Sequence, residues 1–272
     1  PNILILIKYP NFKNQKMRKM MNLGLIVSIY DEIDETTKSI LTFKQKNFPV
    51  IVIQSDPKNP QKIIDSNSVD YYELLPDFAG SKDQYTQERT TKGSTTPTKA
   101  LTRNFNKAFS IAKTFDVDWW VTICGDVVIS NFNGIEKILQ KMIKDNKSVG
   151  ITRAVGQIFR DENDELVRIQ DNDATDFMPQ FFIVNHKFIQ NGLFNNISIT
   201  NPFTTEQCMG DEVKRYCIKN NTSFRDICHI IADYAYPQFV EGLQYNPDRI
   251  IMPRYIDVII NKFRQFKLKF LK

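Results

Sequence analysis

The stretch from Asp118 to Asp126 constrains the fold of this chain more than any other segment. It reads DWWVTICGD, an apolar run that ends in a glycine and a single carboxylate. A run of this length, closed by a turn signal, predicts a strand buried on both faces, as in the centre of a parallel sheet. Ligands of such sheets bind just beyond the carboxyl ends of the strands. Asp126 follows such an end, where a carboxylate is suited to bind a divalent metal and, through the metal, a diphosphate.

The first half of the chain alternates between strand and helix patterns. Apolar runs predict strands at residues 25–30, 49–54 and 69–75, and helical patterns predict helices at 36–46 and 97–115. Strands separated by helix-length segments are typical of βαβ units. We therefore expect an α/β fold with a mostly parallel central sheet flanked by helices.

The second half of the chain contains shorter elements. Strands are predicted at 149–153, 157–160, 166–169, 177–184 and 223–228, and helices at 133–144, 186–192 and 204–219. We expect this half to form a smaller mixed or antiparallel sheet laid on the first half, because no linker rich in Pro, Gly or Ser separates the two. The prediction is one domain over residues 1–253, divided into halves of about 1–130 and 131–253, followed by a basic amphipathic helix at 254–272.

Composition and the first residues give no support to three classes of protein: nucleic-acid-binding, disulfide-stabilised and secreted proteins. Of the 272 residues, 42% are hydrophobic and 25% charged, which is ordinary for a globular protein, and a net charge of +5 gives no argument for a nucleic acid partner. The four cysteines match no zinc spacing and are too sparse for a disulfide framework, so free thiols in a reducing compartment are expected. The first residues lack the features of a signal peptide, and we expect a cytoplasmic protein.

Two polar segments leave their roles open. Residues 76–96 carry little periodicity and predict a mobile loop, and loops of this length are usually functional or disordered. The basic tail at 254–272 has an apolar helical face that either packs on the domain or lies on an anionic membrane surface.

Several short motifs, taken in order and spacing, resemble GT-A-fold glycosyltransferases, most closely the family 2 type. The motifs that carry the resemblance are Tyr30-Asp31-Glu32, Gln54-Ser55-Asp56, Arg103-Asn104 with Asn106 and Ala108, Cys124-Gly125-Asp126, Gly210-Asp211-Glu212, and His229. The resemblance extends over roughly residues 23 to 230. The chain departs from the family at Cys124, which stands where the first carboxylate of the family's D-x-D motif is found, and at the acidic pair, whose order is reversed.

The resemblance implies a metal-assisted, inverting transfer of a sugar from a UDP- or GDP-linked donor to an acceptor hydroxyl. The acceptor would belong to a glycan, a lipid-linked saccharide or a protein. Asp126 and His229 would bind Mn²⁺ or Mg²⁺, and Glu212, with Asp211 beside it, would supply the general base. The residues expected to contact the nucleotide sugar are Tyr30, Asp31, Glu32, Ser55, Asp56, Arg103 and Asn104.

The proposed metal ligands and the proposed general base also have purely structural interpretations. Asp126 could cap the segment that follows it, His229 could be a core histidine, and the acidic pair could stabilise a helix start. At the level of function, two alternatives remain. One is a sugar nucleotidyltransferase, although the segment from Ser28 to Asp31 lacks the glycine-rich loop usual there. The other is a non-catalytic protein that binds a sugar nucleotide or a partner.

Overall fold

A computed structural model describes residues 21–29, 32–55, 63–75, 95–153, 158–160, 166–169, 177–197, 205–233 and 240–245. The strands are β1 (Leu23–Ile29), β2 (Val50–Ser55), β3 (Tyr71–Leu75), β4 (Trp119–Cys124), β5 (Val127–Ile129), β6 (Val149–Arg153), β7 (Ile158–Arg160), β8 (Leu166–Ile169), β9 (Phe177–Asn185), β10 (Cys228–Asp233) and β11 (Leu243–Tyr245). The helices are α1 (Ile33–Lys44), α2 (Thr95–Ala112), α3 (Asn133–Lys144), α4 (His186–Gln190), α5 (Thr205–Lys219) and α6 (Phe224–Ile227), with a 3₁₀ turn at Ser66–Ser68.

Seven strands form the central sheet in the order β10-β6-β9-β4-β1-β2-β3. All neighbours pair in parallel except β9, which runs antiparallel to both β4 and β6. Two small antiparallel sheets, β5 with β11 and β7 with β8, complete the described strands. The predicted α/β class with a mostly parallel central sheet and a smaller antiparallel element is confirmed.

Helices cover both faces of the sheet. Strands β1 and β2 are buried at every residue, so each face of the sheet needs a covering layer. Helices α1 and α3 pack on one face, through side chains such as Phe43 and Leu139. Helices α2, α4 and α5 pack on the other, where Phe105 and Phe109 of α2 contact Phe182 of β9. The side chains on this second face, here called the α2 face, include every other residue of β1, β2, β4 and β9.

The strand predicted at residues 223–228 is wrong, because a short helix occupies most of it. Ser223 caps α6 by accepting a hydrogen bond from the backbone nitrogen of Asp226 at 3.2 Å, while its own nitrogen donates to the Asp226 carboxylate at 2.9 Å. This reciprocal capping box satisfies two backbone donors at once. The pKa of Asp226 is lowered by its hydrogen bonds to Ser223. Strand β10 therefore begins only at Cys228.

All four cysteines are free, as predicted. Within the described ranges, no helix combines the length and apolar content needed to cross a bilayer.

Strands β6, β9 and β10 extend the same central sheet as β1 to β4. The predicted division of the domain into halves at residue 130 stays a prediction.

Candidate functional site

The order of the central sheet reverses between β1 and β4. From β1 the chain passes through α1 to β2 on one side, whereas β4 pairs with β1 on the other side. In open α/β sheets, the crevice beyond the carboxyl ends of strands at such a reversal is where ligands bind. The residues at this carboxyl edge are therefore the first candidates for a functional site.

Asn104 of α2 ties the carboxyl ends of β1 and β2 together. Its Nδ2 donates to Ser28 Oγ at 3.1 Å and to Ser55 Oγ at 3.0 Å. All three side chains are buried. Because both serines interrupt otherwise apolar strands on the α2 face, this bridge creates a polar patch where the core meets the carboxyl edge.

Arg103 reaches the same patch from the preceding position of α2. Its Nη2 donates to Ser55 Oγ at 3.5 Å, and the residue is half-buried. One turn later, Lys107 Nζ lies 3.0 Å from Glu73 Oε2 of the edge strand β3, and the Tyr71 hydroxyl donates to the same carboxylate. Burial would raise the pKa of Glu73, but the Tyr71 hydrogen bond and Lys107 hold it below its ordinary value. Lys107 and Arg103 are four residues apart and therefore share a helix face. The ion pair between Lys107 and Glu73 thus orients the face of α2 that carries Arg103.

A row of polar side chains crosses the sheet beneath α2. Ser28 pairs with Cys124 in the β1–β4 register, and continuing the β4–β9 register by one residue places Gln180 opposite Cys124. The Cys124 thiol donates to the Pro179 carbonyl oxygen at 3.4 Å. Donation to a carbonyl oxygen uses the neutral thiol, which is a poorer metal ligand than a thiolate.

Three buried polar atoms near this row have no hydrogen-bond partner among the described residues. They are Asn104 Oδ1, Thr122 Oγ1 and Gln180 Oε1. A buried polar atom without a partner costs about 1–3 kcal/mol, and native proteins leave few of them. Each of these oxygens can accept a hydrogen bond. The site is therefore suited to a ligand, or to water, that supplies N–H or O–H donors.

Gly125 leaves room for a second carboxylate beside Asp126. A Cβ atom at Gly125 would lie 2.9 Å from Glu32 Cβ and 3.0 Å from Glu32 Oε2, so any other residue would displace the Glu32 side chain. Glu32 is only 8% exposed. Two carboxylates, one following β1 and one following β4, therefore adjoin Gly125 at the order reversal.

A metal ion at this edge would need ligands beyond the described side chains. Within the described ranges, no group of three or more His, Cys, Asp or Glu side chains could hold an ion. Mg²⁺, however, is usually bound by one or two carboxylates, several waters and substrate phosphates. Asp126, which follows Gly125 in the chain, and Glu32, which lies against Gly125, are carboxylates that could contribute to such a site.

The structure separates His229 from Asp126, which corrects their predicted pairing at one ion. Pairing across β6 and β9 places His229 level with Val121, five residues before Asp126. Three strand spacings, about 14 Å in total, also separate β10 from β4. The cause is α6, which shifts the start of β10 and leaves His229 near the amino end of that strand. Burial lowers the pKa of His229, and neighbouring Lys141 lowers it further.

Glu212 and Asp211 of α5 lie in different surroundings. The Glu212 side chain is 9% exposed, and Arg215 Nη2 forms an ion pair with its Oε2. The Asp211 side chain is 57% exposed and faces Lys214 Nζ at 3.5 Å. Of the two, only Glu212 has the partly desolvated and fixed setting that general bases commonly have.

Three of the predicted nucleotide contacts, Tyr30, Asp31 and Asp56, lie outside the described residues. Residues 1–20, most of the predicted loop at 76–96 and the basic tail at 254–272 also lie outside the described residues.

A cavity of about 650 Å³ opens at the opposite, amino edge of the sheet, between the end of α2 and the start of α4. His186 is among its lining residues, but its Nδ1 accepts a hydrogen bond from Trp120 Nε1 at 3.0 Å and the residue is 5% exposed. Burial lowers the pKa of His186, which favours the neutral ring. We assign this histidine to the packing of Trp120.

Three contributors to the site had no predicted role: Ser28, Gln180 and Arg215. Ser28 and Gln180 are polar residues within apolar strand runs, next to the carboxyl edge, and that interruption is a signal the sequence carries. Arg215 follows Glu212 at the i+3 spacing of a helical ion pair, which is common enough on helix surfaces to go unremarked.

No family model matches the chain, and no curated protein matches it. Among solved structures, the chain is similar to a CMP:2-keto-3-deoxy-manno-octonic acid synthetase in complex with CTP, with a TM-score of 0.39 and 10% sequence identity. The match covers 78% of this chain and 90% of that one.

Proposed function

We propose that the carboxyl edge of the sheet binds a nucleotide diphosphate sugar and that the chain transfers its sugar to an acceptor hydroxyl. The observation that carries the proposal is the Asn104 bridge: one side chain of α2 joins Ser28 and Ser55 at the ends of β1 and β2, beside the order reversal. The predicted resemblance to GT-A-fold glycosyltransferases includes Ser55 and Asn104 of this bridge and supports the same assignment.

The nucleoside would be recognised by hydrogen-bond acceptors. Asn104 Oδ1 and Gln180 Oε1 are buried oxygens that need donors, and the N–H groups of a base or the hydroxyls of a ribose would supply them. Tyr30 and Asp31, which follow β1 in the sequence, and Asp56, which follows β2, are further proposed contacts. Arg103 would bind the diphosphate, because its planar guanidinium matches two phosphate oxygens at once.

The metal would be held by Asp126, with Glu32 as the adjoining carboxylate. Bound there, Mn²⁺ or Mg²⁺ would neutralise the negative charge that develops on the departing diphosphate. Because these residues offer only two carboxylates, the affinity of the protein for the metal should depend on the nucleotide, which contributes the remaining ligands.

Glu212 is the proposed general base, which would take the proton of the acceptor hydroxyl during inverting transfer. Its low exposure favours it over Asp211, which is largely in solvent. The acceptor would be a glycan, a lipid-linked saccharide or a protein. Residues 254–272, if they lie on an anionic membrane, would bring the site close to a lipid-linked acceptor.

A sugar nucleotidyltransferase is the second candidate, and the ion pair at Glu212 favours it. A carboxylate already paired with Arg215 is a weaker proton acceptor than an unpaired one, whereas activation of a sugar by a nucleoside triphosphate requires no base on α5. The two functions release different products. Glycosyl transfer releases a nucleoside diphosphate, and nucleotidyl transfer releases pyrophosphate.

Calorimetric titration with UDP and GDP, with and without Mn²⁺, tests the shared part of both functions. We expect one nucleotide to bind, and to bind more tightly when Mn²⁺ is present. Incubation with UDP- and GDP-sugars, in parallel with CTP or UTP and free or phosphorylated sugars, then separates them by the product released. Absence of binding for all of these nucleotides would refute the proposal, and pyrophosphate release without sugar transfer would establish the second candidate.

A further inference from the structure

A continuous series of contacts joins the nucleotide edge to Glu212. It begins at Asn104, whose side chain bridges Ser28 and Ser55. Two residues later on α2, Asn106 holds both backbone groups of Ile197: its Nδ2 donates to the Ile197 oxygen at 3.0 Å, and its Oδ1 accepts from the Ile197 nitrogen at 2.7 Å. One helix therefore carries the nucleotide contact and fixes the segment that approaches α5.

Arg215 of α5 completes the series. Its Nη2 lies 3.5 Å from the carbonyl oxygen of Asn196, next to the clamped Ile197, and forms the ion pair with Glu212. The two partners differ in exposure: the Arg215 side chain is 53% exposed, whereas that of Glu212 is 9% exposed. The guanidinium thus reaches inward from solvent and holds a carboxylate that is nearly enclosed.

A second ion pair on the same helix provides a reference. Lys214 and Asp211 have the same i,i+3 spacing, but both side chains are largely exposed, at 44% and 57%. Exposed pairs of this kind contribute little to stability and hold neither side chain firmly. A partly enclosed pair with a bidentate-capable arginine restricts its carboxylate much more.

We propose that Arg215 is a positioning residue, which holds the Glu212 carboxylate in a fixed orientation relative to the nucleotide edge through Asn196, Ile197 and Asn106. The proposal rests on the proposed function, in which Glu212 accepts the proton of the acceptor. Arg215 itself contacts neither the donor nor the reacting atoms. Its removal should therefore slow turnover while the affinity for the donor stays unchanged.

The test uses whichever UDP- or GDP-sugar gives the highest wild-type rate of nucleoside diphosphate release with Mn²⁺. Arg215→Gln should lower kcat about tenfold, because the loss of a fixed orientation for Glu212 outweighs the stronger basicity of an unpaired carboxylate, and leave the KM for the donor within about twofold. Arg215→Lys should restore part of kcat, because it keeps the charge next to Glu212. Lys214→Gln, which breaks the exposed pair, should leave both constants unchanged.

A double-mutant cycle with Glu212→Gln decides whether Arg215 acts through Glu212. In that background, Arg215→Gln should cause no further loss, because the carboxylate that it orients has been removed. An additive loss would overturn the proposal, as would a wild-type kcat in Arg215→Gln. Thermal melting and UDP titration of each variant check that it folds, and Arg215→Lys keeps the test valid if Arg215→Gln does not. Failure of the wild-type chain to bind or turn over any nucleotide sugar would instead refute the proposed function itself, and this inference with it.

Discussion

The two edges of the central sheet differ in how their polar groups are used. At the amino edge, two polar contacts are made: the Asn22 nitrogen donates to Asp118 Oδ2 at 2.7 Å, and His186 Nδ1 accepts from Trp120, while His186 Nε2 is buried without a described partner. At the carboxyl edge, Asn104, Thr122 and Gln180 each retain a buried oxygen without a described partner. Among the described residues, a cavity opens at the amino edge, whereas most of the buried polar atoms without a described partner lie towards the carboxyl edge.

Within the part of the chain that the structure describes, the carboxyl edge is distinguished by its buried polar atoms without partners. Parallel strands point their carboxyl ends to one edge, and there the chain places serine, asparagine, arginine and carboxylate side chains. At the amino edge, His186 is buried and accepts a hydrogen bond from the fully buried Trp120, which makes it a poor candidate for acid–base catalysis.

Asp126→Asn should have the largest effect on activity. The variant loses the charge that would hold the metal, and a loss of about 3 kcal/mol in transition-state stabilisation lowers the turnover rate roughly a hundredfold. Asp116→Asn makes the same change at an exposed position of the amino edge and should retain the wild-type rate. Rates of donor turnover with Mn²⁺ measure both, and equal rates in the two variants would remove the distinction between the edges.

Asn104→Ala should weaken nucleotide binding about tenfold, the equivalent of about 1.4 kcal/mol. The change removes the bridge between Ser28 and Ser55 and the oxygen offered to the nucleoside. Calorimetric titration with UDP or GDP measures the loss. Ser110→Ala, on the exposed part of α2, is the control, and an unchanged affinity in Asn104→Ala would place the nucleotide elsewhere.

The chain contains only two histidines, His186 and His229, and burial lowers the pKa of each below its ordinary value of 6.5. Below pH 6.5 the unfolded chain therefore binds more protons than the folded chain, so the free energy of unfolding should fall as the pH falls through that region. Urea denaturation at pH 7.5 and 5.5 measures the decline. The double variant His186→Gln/His229→Gln should show a smaller decline, and an identical one would mean that the two histidines do not cause it.

Cys124→Ser should have the smallest effect. A serine hydroxyl can donate to the Pro179 carbonyl as the thiol does, so nucleotide affinity and turnover should stay within about twofold, or about 0.5 kcal/mol. A large loss of metal-dependent turnover would mean that the sulfur takes part in binding the ion.

The central strands and their order of appearance could be predicted from the sequence because their apolar runs are long and end at turn residues. The carboxyl-edge position of Ser55, Arg103 and Asn104 could be expected from the same pattern. The position of His229 could not, because the segment before it has a strand-like composition that the Ser223 capping box overrides. Pairing of β9 between β4 and β6 depends on contacts distant in sequence, which no local pattern encodes.

The most direct test of the account is a crystal structure of the chain with UDP or GDP and Mn²⁺, using whichever nucleotide binds in calorimetry. The account predicts the nucleotide beyond the carboxyl ends of β1 and β4, with Asn104 and Arg103 beside it and the metal on Asp126. A nucleotide bound in the amino-edge cavity next to His186 would contradict it.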